Sequence, residues 1–224
     1  MVVKAVYVSF YRALLIFISY NSMIFATALK TDPMCREVEI VSRSEWKARP
    51  EVRSRHMNLP LNHIIILHTV TSLCKTKFQC IRKVQLMQEM HLDERGWWDI
   101  AYNFLIGGDG RVYEGRGWNR TGAHSVNFNT NSLGVAFIGN FNVDTPTKPM
   151  IDAAQHLIEC GVRKGYLTPT REIHGHKDVS CTESPGNNLY AEIRRWKNYK
   201  GGRLELYNCT PLERPVISGD IIKD

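Results

Sequence analysis

The distribution of apolar residues along the chain predicts several short strands. The run from His63 to His68 is rich in β-branched residues and fits a buried central strand, and the run from Leu133 to Ile138 fits another. The segments Tyr102 to Gly107 and Arg111 to Gly115 flank Gly-Asp-Gly, which predicts a hairpin. A further strand is predicted from Glu172 to Val179.

Helical patterns lie between these runs. Apolar positions recur near helical spacing from Lys75 to Arg95, and Gly96 follows where a C-terminal cap belongs. Pro149 is predicted to open a helix that continues to about Lys164. A final helix is predicted from Asn187 to Tyr199. Because helices alternate with apolar strands, the fold class is α/β: a mixed central β-sheet flanked by helices.

The first 28 residues have the pattern of a signal peptide. Lys4 and Arg12 supply positive charge, an apolar stretch follows, and Ala26-Thr27-Ala28 ends it with small residues. Polar residues interrupt the apolar stretch, which makes an uncleaved membrane anchor the weaker alternative. We therefore expect a secreted protein, with one domain over residues 29–200, a tail over residues 201–224 and no membrane span after cleavage.

Charge and cysteine content narrow the class of partner and the redox compartment. The formal charge of +7 falls to +5 without Lys4 and Arg12, which favours anionic partners. No dense Lys/Arg stripe appears, so nucleic acid is not expected. All six cysteines follow the signal segment, and an even number in a secreted chain predicts disulfides in one of 15 pairings. No C-x-x-C pattern appears, which argues against a cysteine zinc site.

The segment from Gly96 to His124 has the composition of a groove. It holds seven of the sixteen glycines and six aromatic residues, a mixture that allows close backbone approach beside stacking surfaces. A well-packed hairpin is the simpler interpretation of the same composition. Outside it, His174 and His176 lie two apart on a predicted strand and His68 ends another, so the three could imitate a zinc site or be structural.

The order of several motifs resembles the peptidoglycan recognition protein family. The resemblance runs from about Val38 to Trp196, and its motifs are HTVT, DIAYNFLIG, YEGRGW, GAH, SLGVAFIGNF, GHKDV and SPGNNLY. That family shares the fold of the bacteriophage-type zinc amidases, which cut N-acetylmuramoyl-L-alanine bonds. The resemblance therefore implies an amidase-type fold and a secreted innate-immune receptor for bacterial peptidoglycan, acting through a signalling protein that the sequence does not identify.

The same resemblance bears on catalysis. Amidase members hold zinc with two histidines and a cysteine, and the matching positions here are Leu67, His176 and Ser184. Leucine has no donor atom and a neutral serine hydroxyl is a poor substitute for a thiolate, so we expect neither zinc, nor another cofactor, nor amidase activity. Tyr102 matches the tyrosine that assists the zinc-bound water. The alternatives are a zinc amidase with an altered site, or a weak hydrolase using Ser184 with His176 as base.

The resemblance also implies which residues contact ligand. The positions that match stem-peptide contacts in the family are His68, Thr69, His91, Arg95, Tyr102, His124 and Asn129. Members that prefer diaminopimelate over lysine in the stem resemble this chain at Gly96 and Trp97, whereas lysine-preferring members carry Asn-Phe or Asp-Phe. Arg116 could grip the extra carboxylate in a bidentate pair. Alternatively, Arg116 could brace the hairpin through Glu114 or Asp109.

Disulfide pairing is implied in the same way. The family pairs cysteines at the positions of Cys74 and Cys80 and ties an N-terminal cysteine to the long central helix, which implies Cys35 with Cys160. Cys181 and Cys209 then remain to pair with each other. Two glycosylation sequons, at Asn119 and Asn208, are expected to be of minor importance.

Overall fold

The computed structural model of the protein describes residues 35–207 of the chain. The folded unit described below begins at Glu37. The predicted signal peptide and residues 208–224 of the tail, with Asn208 and Cys209, lie outside the described residues. The domain limits at 29 and 200 therefore stay predictions. None of the helices within residues 35–207 combines the length and apolar character that a membrane-crossing helix requires.

Within residues 35–207 six strands form one mixed sheet, and five of them, all but the first, correspond to predicted strands. They are β1 (Ile40–Val41), β2 (Leu61–His68), β3 (Phe104–Ile106), β4 (Val112–Glu114), β5 (Ser132–Phe137) and β6 (Leu167–Gly175). Their order across the sheet is β1-β4-β3-β5-β2-β6. Only the hairpin pair β3–β4 is antiparallel, and the other neighbours are parallel. The predicted hairpin and both predicted buried strands are confirmed.

Helices cover both faces of this sheet. They are α1 (Lys77–Glu89), which a π-helix (Met90–Glu94) continues, α2 (Lys148–Arg163), α3 (His176–Val179) and α4 (Asn187–Ile193). Ile64 and Ile66 of β2 belong to the core that α2 and α4 cover, while Ile65 and Leu67 belong to the core beneath α1. This alternation explains why the strand is apolar throughout, because a strand covered on both faces has no polar side.

The first helix begins and ends near its predicted bounds. The Thr76 hydroxyl accepts a hydrogen bond from the Gln79 N–H at 3.3 Å and caps the start. At the other end Gly96 has φ +65°, the left-handed conformation of a helix-terminating glycine. This turn allows the Trp97 N–H to donate to the His91 carbonyl at 2.9 Å. The chain thus folds back over the π-helical turn.

Two predicted elements have different bounds. The predicted strand over residues 172–179 ends at Gly175, and His176–Val179 is helical. The Asp178 carboxylate accepts the Gly175 N–H at 2.7 Å, and this bond stabilises the first helical turn. His174 and His176 therefore lie in different elements rather than on one strand face. The last helix ends at Ile193, and turns follow to Asn198, which has φ +68°.

The predicted Cys74–Cys80 disulfide is present. It closes a loop between β2 and α1. Cys35, Cys160 and Cys181 are each disulfide-bonded too. The pairings of Cys35 with Cys160 and of Cys181 with Cys209 stay predictions.

Candidate functional site

Predicted site residues come from four segments around the central strands. His68 ends β2, His91 lies in the π-helical turn, and His176 opens α3 directly after β6. His124 lies in the loop of residues 122–131 that precedes β5, and a Cβ at Gly134 of that strand would touch its ring. His68 and His176 lie at the carboxyl ends of β2 and β6, the edge of the sheet where ligand sites of α/β proteins commonly occur.

The rings of His91, Trp97 and Tyr102 form an aromatic cluster, and the Arg95 guanidinium lies at its border. The His91 and Trp97 rings stack at 4.9 Å between centroids, and the Tyr102 ring meets His91 edge-on at 5.8 Å. The Arg95 guanidinium lies over Trp97 at 5.4 Å. Such a set offers an apolar stacking surface with a cation at its border. Gly96 makes the arrangement possible because its turn reverses the chain between Arg95 and Trp97.

The loop before β5 holds His124 in a fixed position. The Asn129 side-chain oxygen accepts hydrogen bonds from the backbone N–H groups of His124 and Ser125, each at 2.8 Å. Asn129, predicted to contact ligand, thus also braces the loop. A side chain at Gly134 of β5 would collide with the His124 ring, so the SLGVAF motif requires glycine there. His124 Nε2 is buried and has no hydrogen-bond partner within residues 35–207.

His68 and Thr69 are held by the segment after β5. The His68 Nδ1 accepts the Phe141 N–H at 3.2 Å, and the Thr69 hydroxyl accepts the Gly139 N–H at 3.1 Å. The Thr69 hydroxyl also contacts the Thr71 hydroxyl at 2.9 Å. The GNF part of the SLGVAFIGNF motif therefore positions the end of β2.

The histidines of the site are neutral at physiological pH. Burial lowers the pKa of His91 to about 4, with Arg95 contributing, and lowers the pKa of His124 to about 3. Burial also lowers the pKa of His176 to about 4, and the pKa of His68 shifts in the same direction. A neutral imidazole donates one hydrogen bond and accepts one. The Nδ1 acceptors of His68 and His91 are occupied by backbone N–H groups, which leaves the Nε2–H group of each ring to donate to a ligand oxygen.

The positions that hold zinc in amidase members do not fit a catalytic zinc ion in this chain. Leu67 is buried in the core beneath α1 and has no donor atom. The Ser184 hydroxyl accepts the His68 backbone N–H at 3.2 Å. Among the three positions that match the zinc ligands, only His176 carries an imidazole, and a catalytic zinc site needs three protein ligands. This donor set cannot replace two histidines and a thiolate.

The geometry also bears on a serine-based hydrolase. Within residues 35–207 no hydrogen bond joins the Ser184 hydroxyl to the His176 ring. His176 Nδ1 is buried without a hydrogen-bond partner among those residues, so no acid orients the imidazole through that nitrogen. Nucleophile, base and orienting group are the minimum constellation for this chemistry, and the constellation is not assembled here.

Arg116 is more deeply embedded than its expected role as a ligand contact implies. It is 5 % exposed, and its guanidinium donates to the carbonyls of Ile100 at 2.7 Å, Thr121 at 2.8 Å and Asp99 at 3.3 Å. Arg116 therefore does brace the site, and these three bonds go to main-chain carbonyls rather than to the carboxylates of Glu114 or Asp109. Its contact with a ligand carboxylate stays a prediction.

Asn103 is a positioning residue that the sequence reasoning missed. It is fully buried, its side-chain oxygen accepts the Gly134 N–H at 2.9 Å, and its amide donates to Gly117 and Arg120 at 2.9 and 2.8 Å. These bonds link the hairpin and the following loop to β5. An asparagine within the apolar run AYNFLI was the available signal, because buried polar side chains occur where their hydrogen bonds are satisfied.

A separate surface depression of about 400 Å³ lies along the outer side of α1. It is lined by Leu73, Lys75, Phe78, Gln79, Arg82, Lys83 and Leu86. None of the predicted ligand residues lines it. The candidate site therefore rests on the predicted ligand residues around the central strands rather than on this depression.

Comparison with known proteins agrees with the fold and with the motif order. A family model described as N-acetylmuramoyl-L-alanine amidase matches residues 57–187, more than half of the chain. The peptidoglycan-recognition protein SC2 of Drosophila melanogaster is 45% identical over 163 residues, covering 73% of this chain and 89% of that protein.

Solved structures give the same result. The bumblebee PGRP-SA structure aligns with a TM-score of 0.72 and 42% identity, covering 74% of this chain and 99% of that one. Peptidoglycan recognition protein-LE in complex with tracheal cytotoxin, a monomeric diaminopimelic acid-type peptidoglycan, aligns with a TM-score of 0.71 and 39% identity, covering 72% and 96%. The fold is thus the amidase-type α/β fold. The chain belongs to the peptidoglycan recognition protein family.

Proposed function

We propose that this protein is a secreted innate-immune receptor that binds bacterial peptidoglycan through the cluster of His91, Trp97 and Tyr102 and does not cleave it. One observation carries the proposal: the chain has the side chains that match ligand contacts in the family, but it lacks two of the three zinc ligands. His91, Trp97 and Tyr102 are held in stacking contact, while Leu67 is part of the core. Without a metal-bound water, amide hydrolysis loses both its nucleophile and its Lewis acid.

The chemistry of the site matches a muropeptide. Stem peptides offer amide donors and acceptors, and the sugars offer hydroxyl groups with apolar ring faces. The Nε2–H groups of neutral His68 and His91 can donate to the amide oxygens, and Trp97 and Tyr102 provide stacking surfaces for the sugar rings. The complex of the relative PGRP-LE with tracheal cytotoxin supports this ligand class. The proposed receptor would pass the signal to a protein partner whose identity the sequence does not contain.

The proposed ligand preference is for diaminopimelate-type peptidoglycan. Gly96 and Trp97 match the pair found in members with that preference. Arg95 lies over Trp97 and contributes positive charge at the border of the cluster, where an additional stem carboxylate would be favoured. Arg116 lies further inside and supports the site through the loop carbonyls it binds.

Co-sedimentation with insoluble diaminopimelate-type and lysine-type peptidoglycan tests the binding claim. Trp97→Ala should weaken binding by at least about tenfold, which corresponds to about 1.4 kcal/mol, because it removes the stacking partner of His91. Trp98→Ala is the matched control, since the neighbouring ring lies 6.0 Å from the Arg53 guanidinium instead. Equal binding by wild type and Trp97→Ala, or an equal loss of binding in Trp97→Ala and Trp98→Ala, would contradict the proposal that the cluster binds peptidoglycan.

A further inference from the structure

A second group of possible metal ligands lies outside the positions that match the amidase zinc site. It consists of His63 on β2 with Glu172 and His174 on β6. The two strands are parallel neighbours, and His63 is paired with Glu172 in the register while Ile65 is paired with His174. Glu172 and His174 flank Ile173, so the pleat directs both to the same face of the sheet. Leu67, His176 and Ser184 do not belong to this group.

The spacing of the three donor atoms suits a small divalent cation. His63 Nδ1 lies 3.2 Å from His174 Nε2, and each of these nitrogens lies 3.7 Å from Glu172 Oε2. Zinc binds nitrogen and carboxylate oxygen at about 2.0–2.2 Å, so two ligands in a tetrahedral site are separated by about 3.3–3.6 Å. The observed triangle therefore needs little rearrangement to accept the ion.

The His174 ring is already in the tautomer that a metal requires. Its Nδ1 donates to the Lys200 carbonyl at 2.7 Å, which leaves the Nε2 lone pair directed at His63 and Glu172. Metal-binding histidines typically donate their second nitrogen to a carbonyl or carboxylate in this way. The side chain of His174 has no exposed surface, so its orientation is set by packing as well as by this bond.

Glu172 supplies the negative charge. A hydrogen bond from Lys200 lowers the pKa of the Glu172 carboxyl, which is ionised at neutral pH. Lys200 binds Oε1 at 2.5 Å, and Oε2 is the oxygen nearest the two histidines. The side chains of His63 and Glu172 are 26% and 29% exposed, so an ion can enter from solvent and keep a water as a fourth ligand.

We propose that His63, Glu172 and His174 form a Zn²⁺ site with three protein ligands and one position open to solvent. Bound zinc would link β2 to β6 and, through the His174–Lys200 bond, to the segment after α4. His63 and His68 are five residues apart on β2, so the zinc site lies about 16 Å along the strand from His68. The three proposed zinc ligands include none of the predicted ligand contacts and none of the positions that match the amidase zinc ligands.

Calorimetric titration of the chelator-treated secreted chain with zinc chloride tests this site. We expect one zinc ion per chain, with the dissociation constant raised at least about tenfold in His63→Gln and in Glu172→Gln. His156→Gln is the matched control, because His156 is a partly buried histidine on α2 whose Nδ1 contacts the Glu37 carbonyl. His176→Gln separates this site from the amidase position, and neither control should change the affinity.

Circular dichroism spectra establish that each variant is folded before titration. Both ligand substitutions fall on partly exposed side chains, which limits their structural cost. Absence of zinc binding by the wild type would show that His63 and His174 share only a hydrogen bond. Zinc binding that is unchanged in both ligand variants, or that is lost in His176→Gln alone, would also overturn the proposal.

Discussion

Individual histidines in the site act as neutral hydrogen-bonding groups. His91 Nδ1 accepts the Ala101 N–H at 3.2 Å, and His68 Nδ1 accepts the Phe141 N–H at 3.2 Å. Each ring therefore carries its proton on Nε2. Protonation would turn the accepting nitrogen into a donor that faces another donor. The depressed pKa values and these bonds are two consequences of the same burial.

The first prediction concerns the pH dependence of stability through His91. Its pKa is about 4 in the folded state and about 6.5 in the unfolded state, so the unfolded chain binds the extra proton between these values. The contribution of neutral His91 is complete above pH 6.5 and is lost as the pH falls towards 4. Between pH 6.5 and 5 this histidine should account for about 1–2 kcal/mol of lost unfolding free energy.

Urea unfolding of wild type and His91→Asn at pH 6.5 and 5 measures this difference. Asparagine can place an acceptor near the position of Nδ1 and does not titrate, so the variant should lose about 1–2 kcal/mol less than wild type over that interval. Other buried histidines contribute equally to both proteins and cancel. Identical pH dependence of the two proteins would mean that His91 keeps an ordinary pKa in the folded state.

The second prediction concerns Asn103. Asn103→Ala removes one acceptor and two donated hydrogen bonds and leaves the Gly134 N–H buried without its partner. We expect a cost of about 2–4 kcal/mol in unfolding free energy, since each buried unsatisfied polar group costs about 1–3 kcal/mol. Asn62→Ala, at an exposed position of β2, is the control and should change stability by less than about 0.5 kcal/mol. Similar losses in both variants would contradict the role assigned to Asn103.

At the scale of elements, the π-helical turn and the glycine after it determine where the rings of the predicted ligand contacts lie. The Arg95 N–H donates to the Met90 carbonyl at 3.1 Å and the Trp97 N–H to His91, so one wide turn places His91 and Trp97 face to face. π-Turns within helices are frequently found at functional sites. A regular α-helical end would rotate these side chains relative to each other.

The third prediction concerns specificity at the end of this element. The double variant Gly96→Asn with Trp97→Phe introduces the pair found in lysine-preferring members. Asparagine tolerates φ +65°, and a Cβ at Gly96 meets no atom within 4 Å, so the backbone can remain in place. The ratio of diaminopimelate-type to lysine-type binding should fall by about tenfold, or about 1.4 kcal/mol.

Competition binding with soluble muropeptides of both types measures that ratio. Gly96→Asn alone is the control, because it changes the turn residue while it keeps the Trp97 ring. An unchanged binding ratio in the double variant would mean that residues 96 and 97 do not determine ligand preference. A fall of the same size in Gly96→Asn would assign the effect to the turn rather than to the ring.

Most elements were predictable because each is specified by local pattern. The β-branched run at His63 to His68 and the Gly-Asp-Gly hairpin are local signals, and the structure confirms both. The strand end at Gly175 was predicted wrongly because the Asp178 bond to the Gly175 N–H competes with the apolar pattern. The last helix was predicted too long because Trp196 bonds three residues back, to Ile193, in a tightening turn.

The site was predictable in its membership but not in its internal contacts. Motif order pointed to His91, Trp97 and Tyr102, and the structure brings these three together. The partners of Arg116 could not be foreseen, because main-chain carbonyls leave no trace in the sequence. The His63 group was missed for a related reason: it depends on the register between β2 and β6, which are about 100 residues apart in the chain.

For the whole molecule, the two proposals place two chemistries on one sheet. The predicted ligand contacts lie around the central strands, and the start of β2 with β6 carries the proposed zinc ligands. The site differs from an amidase centre at Leu67, because an apolar core side chain occupies the position of the first zinc ligand. The central claim is that this arrangement binds peptidoglycan and leaves its amide bonds intact.

Release of soluble stem peptides from diaminopimelate-type peptidoglycan tests that claim most directly. The protein is incubated with the wall polymer and zinc, with and without a chelator, and the supernatant is analysed by mass spectrometry. The double variant Leu67→His with Ser184→Cys, which supplies the missing donors beside His176, is the comparison with a potential zinc centre. We predict that the wild type sediments with the polymer and releases no stem peptide above the buffer blank. Chelator-sensitive release of stem peptides by the wild type would contradict the account.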